Sequence, residues 1–334
     1  MEQVHLAGPP ATVQRLAALA HELGLEHVGA PGVLRLPVDA AWTLAEHAVD
    51  VVAPLEAGLV RVVRSDDDTL LGVVAAAGVA PTLGQLAARG RHRALLAALH
   101  DRSGVHVGFQ PIVELASAQA IGYEALLRVR VGGRDVPPAE VLAAAEDAGR
   151  LVEVDAVARS VATEEAAPHL GDRWLFLNVS PASLPVLIDQ LGPFAVRLGE
   201  LGLDPAQVVL EAPVGPAGVL RRQLAAVFSA ASELGFEVGL DNVRSERDLD
   251  AAGYVPDVVK LDRSLVRGLP GTSATRALGA VVRECQHAAS MLVAQGIESS
   301  DQLHAVRDLG VRFAQGWQLG RPGRIAAEVG VLAS

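Results

Sequence analysis

From about Val105 onward the chain repeats one pattern: a short apolar run ends in a single polar residue, and an Ala/Leu-rich stretch with helical spacing follows. Few folds accept such a sequence. Unbroken apolar runs suit strands buried on both faces, as in parallel sheets, and parallel neighbours need long, usually helical, crossovers. Strand-like runs fall at 174–177, 208–210, 238–240, 258–261, 291–293 and 311–313. The spacing predicts helices over 138–148, 220–234, 273–289 and 301–309. About eight such βα units point to a closed (β/α)8 barrel of the TIM type.

The polar residues that end these runs are Gln110, Glu124, Asn178, Glu211, Asp241, Lys260, Gln295 and Gln315. In a barrel of parallel strands they would converge on the C-terminal rim, where barrel enzymes place their chemistry. Three carboxylates and an amide on one rim are hard oxygen ligands for Mg2+ or Mn2+, which would polarise a phosphoryl group. A lysine beside them can position a water or screen a phosphate. A polar rim with no present chemistry is the alternative.

Residues 1–100 read as a small α/β domain placed before a barrel of residues 101–334. Helical spacing covers 11–23, through Val13, Leu16, Leu19 and Ala20, and again 40–52. β-rich runs at 59–63 and 70–74 flank Arg64-Ser65-Asp66-Asp67-Asp68, a hairpin signal. A helical connector at 82–100 is expected to break at Gly90. The fusion suggests a regulatory or dimerising role, by architecture alone.

Composition then excludes some partners. With a net charge of −11, a nucleic-acid backbone is not expected as ligand, whereas a small phosphate held by local arginines is compatible. The single cysteine, Cys285, cannot form an intrachain disulfide and reads as a packed core thiol in a reducing, cytoplasmic setting. Neither a signal peptide nor a membrane span is expected. The scattered His5, His21, His27 and His47 suggest no metal site, and Arg89, Arg91, His92 and Arg93 read as a solvated face.

Several segments resemble one family. Tyr123-Glu124-Ala125-Leu126-Leu127-Arg128 carries the motif that names the EAL-type cyclic-di-GMP phosphodiesterases. Phe109-Gln110-Pro111-Ile112-Val113, Asn178-Val179-Ser180-Pro181, Lys260-Leu261-Asp262-Arg263-Ser264 and Gln315-Gly316-Trp317 resemble further family segments in the same order. The resemblance implies a two-cation hydrolase of cyclic-di-GMP. It assigns Glu124, Asn178, Glu211 and Asp241 to the first cation, with Asp241 bridging to the second. It assigns Lys260 to the attacking water, Gln110, Gln315 and Arg128 to ligand contacts, and Glu298 to holding the loop after Asp241.

The departures cluster at the second cation. The family's Asp-Asp-Phe-Gly reads Asp241-Asn242-Val243-Arg244, and its Ala-Glu-Gly-Val-Glu reads Ala294-Gln295-Gly296-Ile297-Glu298. Two carboxylates have become the amides Asn242 and Gln295. Mg2+ gives up water reluctantly and favours anionic oxygen, so one cation set stands and the second is weakened. The expected protein is a degenerate member acting as a cyclic-di-GMP receptor with little or no turnover. A weakly active phosphodiesterase and a protein-interaction scaffold that ignores the nucleotide remain open, as does a homodimer or other protein partner.

Overall fold

The computed structural model describes residues 3–48, 51–63, 73, 77, 80, 82–214, 219–245, 247–249, 253–288 and 291–325. The chain divides into two compact units, Met1–His100 and Asp101–Ser334.

In the first unit, strands β1 (Gln3–Ala7), β2 (Val28–Ala30), β3 (Val33–Pro37) and β4 (Arg61–Val63) form an antiparallel sheet in the order β2-β3-β1-β4. Alternation in β1 and β3 turns Val4, Leu6, Leu34 and Leu36 inward, onto Val13, Leu16 and Leu19 of the helix Pro10–Glu22 and Leu44 of the helix Val38–Ala48. The helix Leu83–His100 runs through Gly90 without the expected break. One glycine costs a helix only about 1 kcal/mol relative to alanine, which its Ala/Leu-rich flanks absorb. The expected hairpin at 64–68 lies outside the described residues, as does the run at 70–74 apart from Val73.

The second unit is a closed eight-stranded barrel with helices outside. Its strands are β5 (Val105–Glu114), β6 (Gln119–Val131), β8 (Trp174–Asn178), β9 (Val208–Pro213), β10 (Glu237–Val243), β11 (Val258–Leu261), β12 (Met291–Gln295) and β13 (Phe313–Gln315). They follow the order β5-β13-β12-β11-β10-β9-β8-β6, and β5 pairs with β6 to close the ring; a short β7 (Arg134–Val136) extends β6 as a hairpin. Among the described residues no helix is long and apolar enough to cross a membrane.

The sheet is not wholly parallel. β5 runs antiparallel to both its neighbours, β6 and β13. The linker between β5 and β6 is Leu115-Ala116-Ser117-Ala118, too short for any crossover, so only a hairpin can join them. The expectation that every polar marker ends a parallel strand therefore fails: Gln110 lies on a strand that runs against both neighbours, and Glu124, Glu211, Asp241 and Lys260 precede the ends of theirs. Gln110 and Glu124 sit within long strands and face each other as cross-strand partners.

A second regularity places the markers. Ile112, Phe176, Val209, Val258 and Val293 form an inner cluster, with Phe313 packed against it. Side chains two residues apart on a strand share a face. Stepping two residues up from each gives Asn178, Glu211, Lys260, Gln295 and Gln315, and on the reversed β5 it gives Gln110. Gly122 and Gly239 take the inner-layer place below Glu124 and Asp241. A Cβ on Gly122 would lie 2.8 Å from the Phe176 ring, and one on Gly239 would lie 3.2 Å from Glu211 Cγ. One barrel layer is thus apolar, and the layer above it carries all eight markers.

Candidate functional site

The centre of the polar layer is Lys260, which is fully buried. Its Nζ lies 2.9 Å from Glu124 Oε2 and 2.8 Å from Glu211 Oε2, and it stands 5.9 Å from the Phe176 ring centroid. Glu124 also accepts from Asn178 Nδ2 at 3.0 Å and from Gln315 Nε2 at 2.7 Å. Gln315 Nε2 donates to Gln110 Oε1 at 3.1 Å, and Gln110 Nε2 donates to the Gly320 carbonyl. Six of the residues singled out from the sequence are therefore joined in one hydrogen-bonded group.

Asp241 is gripped separately. Gln295 Nε2 donates to its Oδ1 at 2.9 Å, and Asn242 Nδ2 donates to its Oδ2 at 2.7 Å. The two amides that replace the expected carboxylates thus act as donors. Asn242 adopts a left-handed backbone with φ of 61°, a region that Asn tolerates better than most residues.

Three carboxylates share one ammonium here, and their titration reflects it. Burial pushes the Glu211 carboxyl up to about 8; Lys260 opposes this, and Glu124 and Asp241 add to it. Burial also raises Asp241. Burial pushes Glu124 upward too, but Lys260, Asn178 and Gln315 outweigh it and hold this carboxyl below its ordinary value. Lys260 is desolvated, yet the three carboxylates hold its proton more tightly than usual.

The donor types, though not their present arrangement, suit a first divalent cation. Glu211 Oε1 and Gln315 Oε1 are buried acceptors with no hydrogen-bond partner among the described residues. Buried acceptors of this kind are costly unless something satisfies them. Glu124, Asn178, Glu211 and Asp241 offer hard oxygens with negative charge in excess of one lysine. In the described geometry these oxygens turn to Lys260 and to amides, and no three carboxylates gather round one coordination point. The second set does not fit, because Asn242 and Gln295 are neutral and point N–H groups at Asp241.

A pH dependence follows for chelated protein. A Glu211 proton held up to about pH 8, against 4.5 ordinarily, contributes stability in full below about pH 4.5, and that contribution is lost as pH rises through about 8. Thermal melts of Glu211→Gln in EDTA should show a smaller decline across that window than the wild type. Equal slopes would remove Glu211 as its source.

The remaining predicted residues are more dispersed. Arg128 donates through Nη1 to the Leu127 carbonyl at 2.9 Å and lines a cavity of about 390 Å3 with Asn178, Asp241 and Asn242. Glu298 is exposed and outside the network; its backbone N–H donates to Gln302 Oε1. The loop after Asp241 is fastened by other residues. Asp248 Oδ2 accepts from the backbone N–H groups of Arg244 and Ser245, and Arg244 Nη2 donates to Asp262 Oδ2 at 3.0 Å. Asp262 also caps the short helix Arg263–Arg267.

Sequence reasoning passed over Asp155 and Arg159, both buried on the helix Leu151–Ala166 and both lining the same cavity. Asp155 Oδ2 accepts from Ser180 N–H and from Ser183 Oγ, which holds the segment after β8 in place. The available signal was a pair of opposite charges four residues apart within an Ala/Val face.

The EAL domain family model matches residues 92–322. The chain is 26% identical over 237 residues to the probable cyclic di-GMP phosphodiesterase PdeN of Escherichia coli, covering 66% of this chain and 44% of that protein. It is 28% identical over 239 residues to the cyclic di-GMP phosphodiesterase PA2567 of Pseudomonas aeruginosa, covering 67% and 39%. It thus spans less than half the length of these curated relatives. The fold is similar to that of the FimX EAL domain from Pseudomonas aeruginosa bound to c-di-GMP, with a TM-score of 0.65, 24% identity, and coverage of 72% of this chain and 99% of that one.

Proposed function

The chain belongs to the EAL domain family, and from that premise we propose that it is a cyclic-di-GMP receptor with little or no phosphodiesterase turnover. The observation that carries this is the pair of amide N–H groups, from Asn242 and Gln295, that occupy both oxygens of Asp241. A hydrolase that uses two cations needs anionic oxygen at those places. The residues that the resemblance assigns to ligand contacts, Gln110, Arg128 and Gln315, support the binding half of this reading. Arg128, which lines the cavity, offers a fixed positive charge for a phosphate, and the cavity has the volume and apolar lining of a small-molecule pocket.

Within this reading, Glu124, Asn178, Glu211 and Asp241 would hold one Mg2+ or Mn2+, which when bound supplies charge neutralisation at the ligand phosphate. Lys260 keeps Glu124 and Glu211 apart and neutralised, and it keeps its proton. Gln315, which also donates to Gln110, orients Glu124 through Oε2, and Asn178 does so through Oε1. The first hundred residues would be the regulatory or dimer-forming part of the receptor, acting in the cytoplasm.

Isothermal titration of the full chain with cyclic-di-GMP, with and without Mg2+, tests the reading. Saturable heat is expected in both conditions, stronger with Mg2+, and no linear dinucleotide should accumulate. Absence of heat together with absence of any thermal shift would overturn it in favour of a protein-interaction scaffold. Rapid accumulation of the linear product would leave the phosphodiesterase reading in its place.

A further inference from the structure

The cavity beside the polar layer is lined by two charged groups that the proposed binding role does not use, Asp155 and Arg159. Arg159 is 5% exposed, and its Nη2 donates to Gln190 Oε1 at 3.0 Å. Its Nη1 is buried with no hydrogen-bond partner among the described residues. Burial works against its charge, and the Asp155 carboxylate one helical turn earlier works for it. Val154, Asp155, Ala158, Arg159 and Ala162 share one helix face and all line the cavity. A guanidinium kept here half-satisfied is costly unless a ligand completes its hydrogen bonds.

Resting on the nucleotide reading above, we propose that Arg159 is a specificity-determining residue that donates to the O6/N7 edge of a guanine seated in this cavity. Apolar walls such as Val141, Leu142 and Leu177 suit the faces of a base. Arg128 and Asp241, the groups suited to a phosphate and its cation, line the same cavity. Guanine presents two adjacent acceptors, O6 and N7, which the planar guanidinium fork matches. Adenine places an amino donor where guanine has O6, so it sets N–H against N–H.

Titration of the full chain with cyclic-di-GMP and with cyclic-di-AMP tests the assignment in wild type, Arg159→Met and Arg159→Lys. The wild type should favour the guanine dinucleotide. Met should weaken cyclic-di-GMP binding by roughly 10- to 100-fold, the worth of one good arginine–guanine contact, and leave cyclic-di-AMP binding about unchanged. Its melting temperature should hold or rise, since an unsatisfied charge has gone. Lys keeps the charge without the fork and should lose most of the base preference; it carries the test if the Met variant folds poorly. A Met variant that keeps the wild-type affinities overturns the inference alone, as does a wild type that binds both dinucleotides equally. A wild type that binds neither overturns the receptor reading together with it.

Discussion

Purified protein supplied with Mg2+ or Mn2+ should hydrolyse cyclic-di-GMP at least about a thousandfold more slowly than an ordinary phosphodiesterase of this family. That factor corresponds to about 4 kcal/mol of lost transition-state stabilisation, a modest share for a cation that helps form hydroxide and steadies the displaced oxygen. The cause is local. Asp241 Oδ1 and Oδ2 accept from Gln295 and Asn242 at 2.9 and 2.7 Å, so both oxygens of this carboxylate are directed to protein donors. Restoring carboxylates with Asn242→Asp and Gln295→Glu together should bring hydrolysis back, and neither single change should suffice. The same double variant sets new carboxylates against Asp241 and removes its two donors. Its metal-free melting temperature should therefore fall, and Mg2+ should restore it by more than it shifts the wild type. If turnover stays absent in the double variant while Mg2+ stabilises it, the loop held by Asp248 and by the Arg244–Asp262 pair is the further obstacle. Wild-type turnover at an ordinary rate would sink the account.

Lys260→Met should be among the most destabilising single changes in the barrel. The ammonium is fully buried and shared between Glu124 and Glu211 at 2.9 and 2.8 Å. Removing one partner of a buried ionic group leaves the other charges uncompensated, at a cost of about 3–5 kcal/mol. Total stability is only about 5–15 kcal/mol for a typical domain, so this is a large share. Chemical denaturation of wild type, Lys260→Met and Lys260→Met/Glu211→Gln would measure it. The double variant should recover part of the loss only at high pH, since Glu211 already holds its proton up to about pH 8 and removing Lys260 strengthens that hold. The single variant should be relatively better folded at low pH, where the carboxylates take up protons, and in Mg2+, which can replace the missing positive charge. A loss under 1 kcal/mol would mean that water reaches these carboxylates, contrary to the burial of Glu211 and Lys260.

The polar markers were legible in the sequence because each follows a short apolar run, and the structure gathers them into one layer because side-chain direction along a strand has a period of two. Phe176 and Asn178, Val209 and Glu211, and Val258 and Lys260 repeat the same offset on separate strands, and a chain read in order displays it. The amides at 242 and 295 were equally legible, since charge is a property of the residue itself. The gap between two opposite charges on one helix turn, Asp155 and Arg159, was visible but unweighted. Nothing in a single helix says that its face closes a cavity beside another strand's markers.

Local periodicity and side-chain chemistry therefore determined the barrel, the inventory of its polar layer and the neutral amides at 242 and 295. The short linker after Glu114 turns β5 against β6, but only the tertiary structure decided that β5 also runs against β13 and that Gln110 faces Glu124. It also decided which charge answers which: Lys260 lies between Glu124 and Glu211, and Asp241 between Asn242 and Gln295. The physical reason is distance along the chain. These partners, apart from Asn242, come from different strands, and ring closure and register bring them within hydrogen-bond reach. A Coulomb interaction depends on that separation and on burial, and neither is encoded in the neighbours of any one residue.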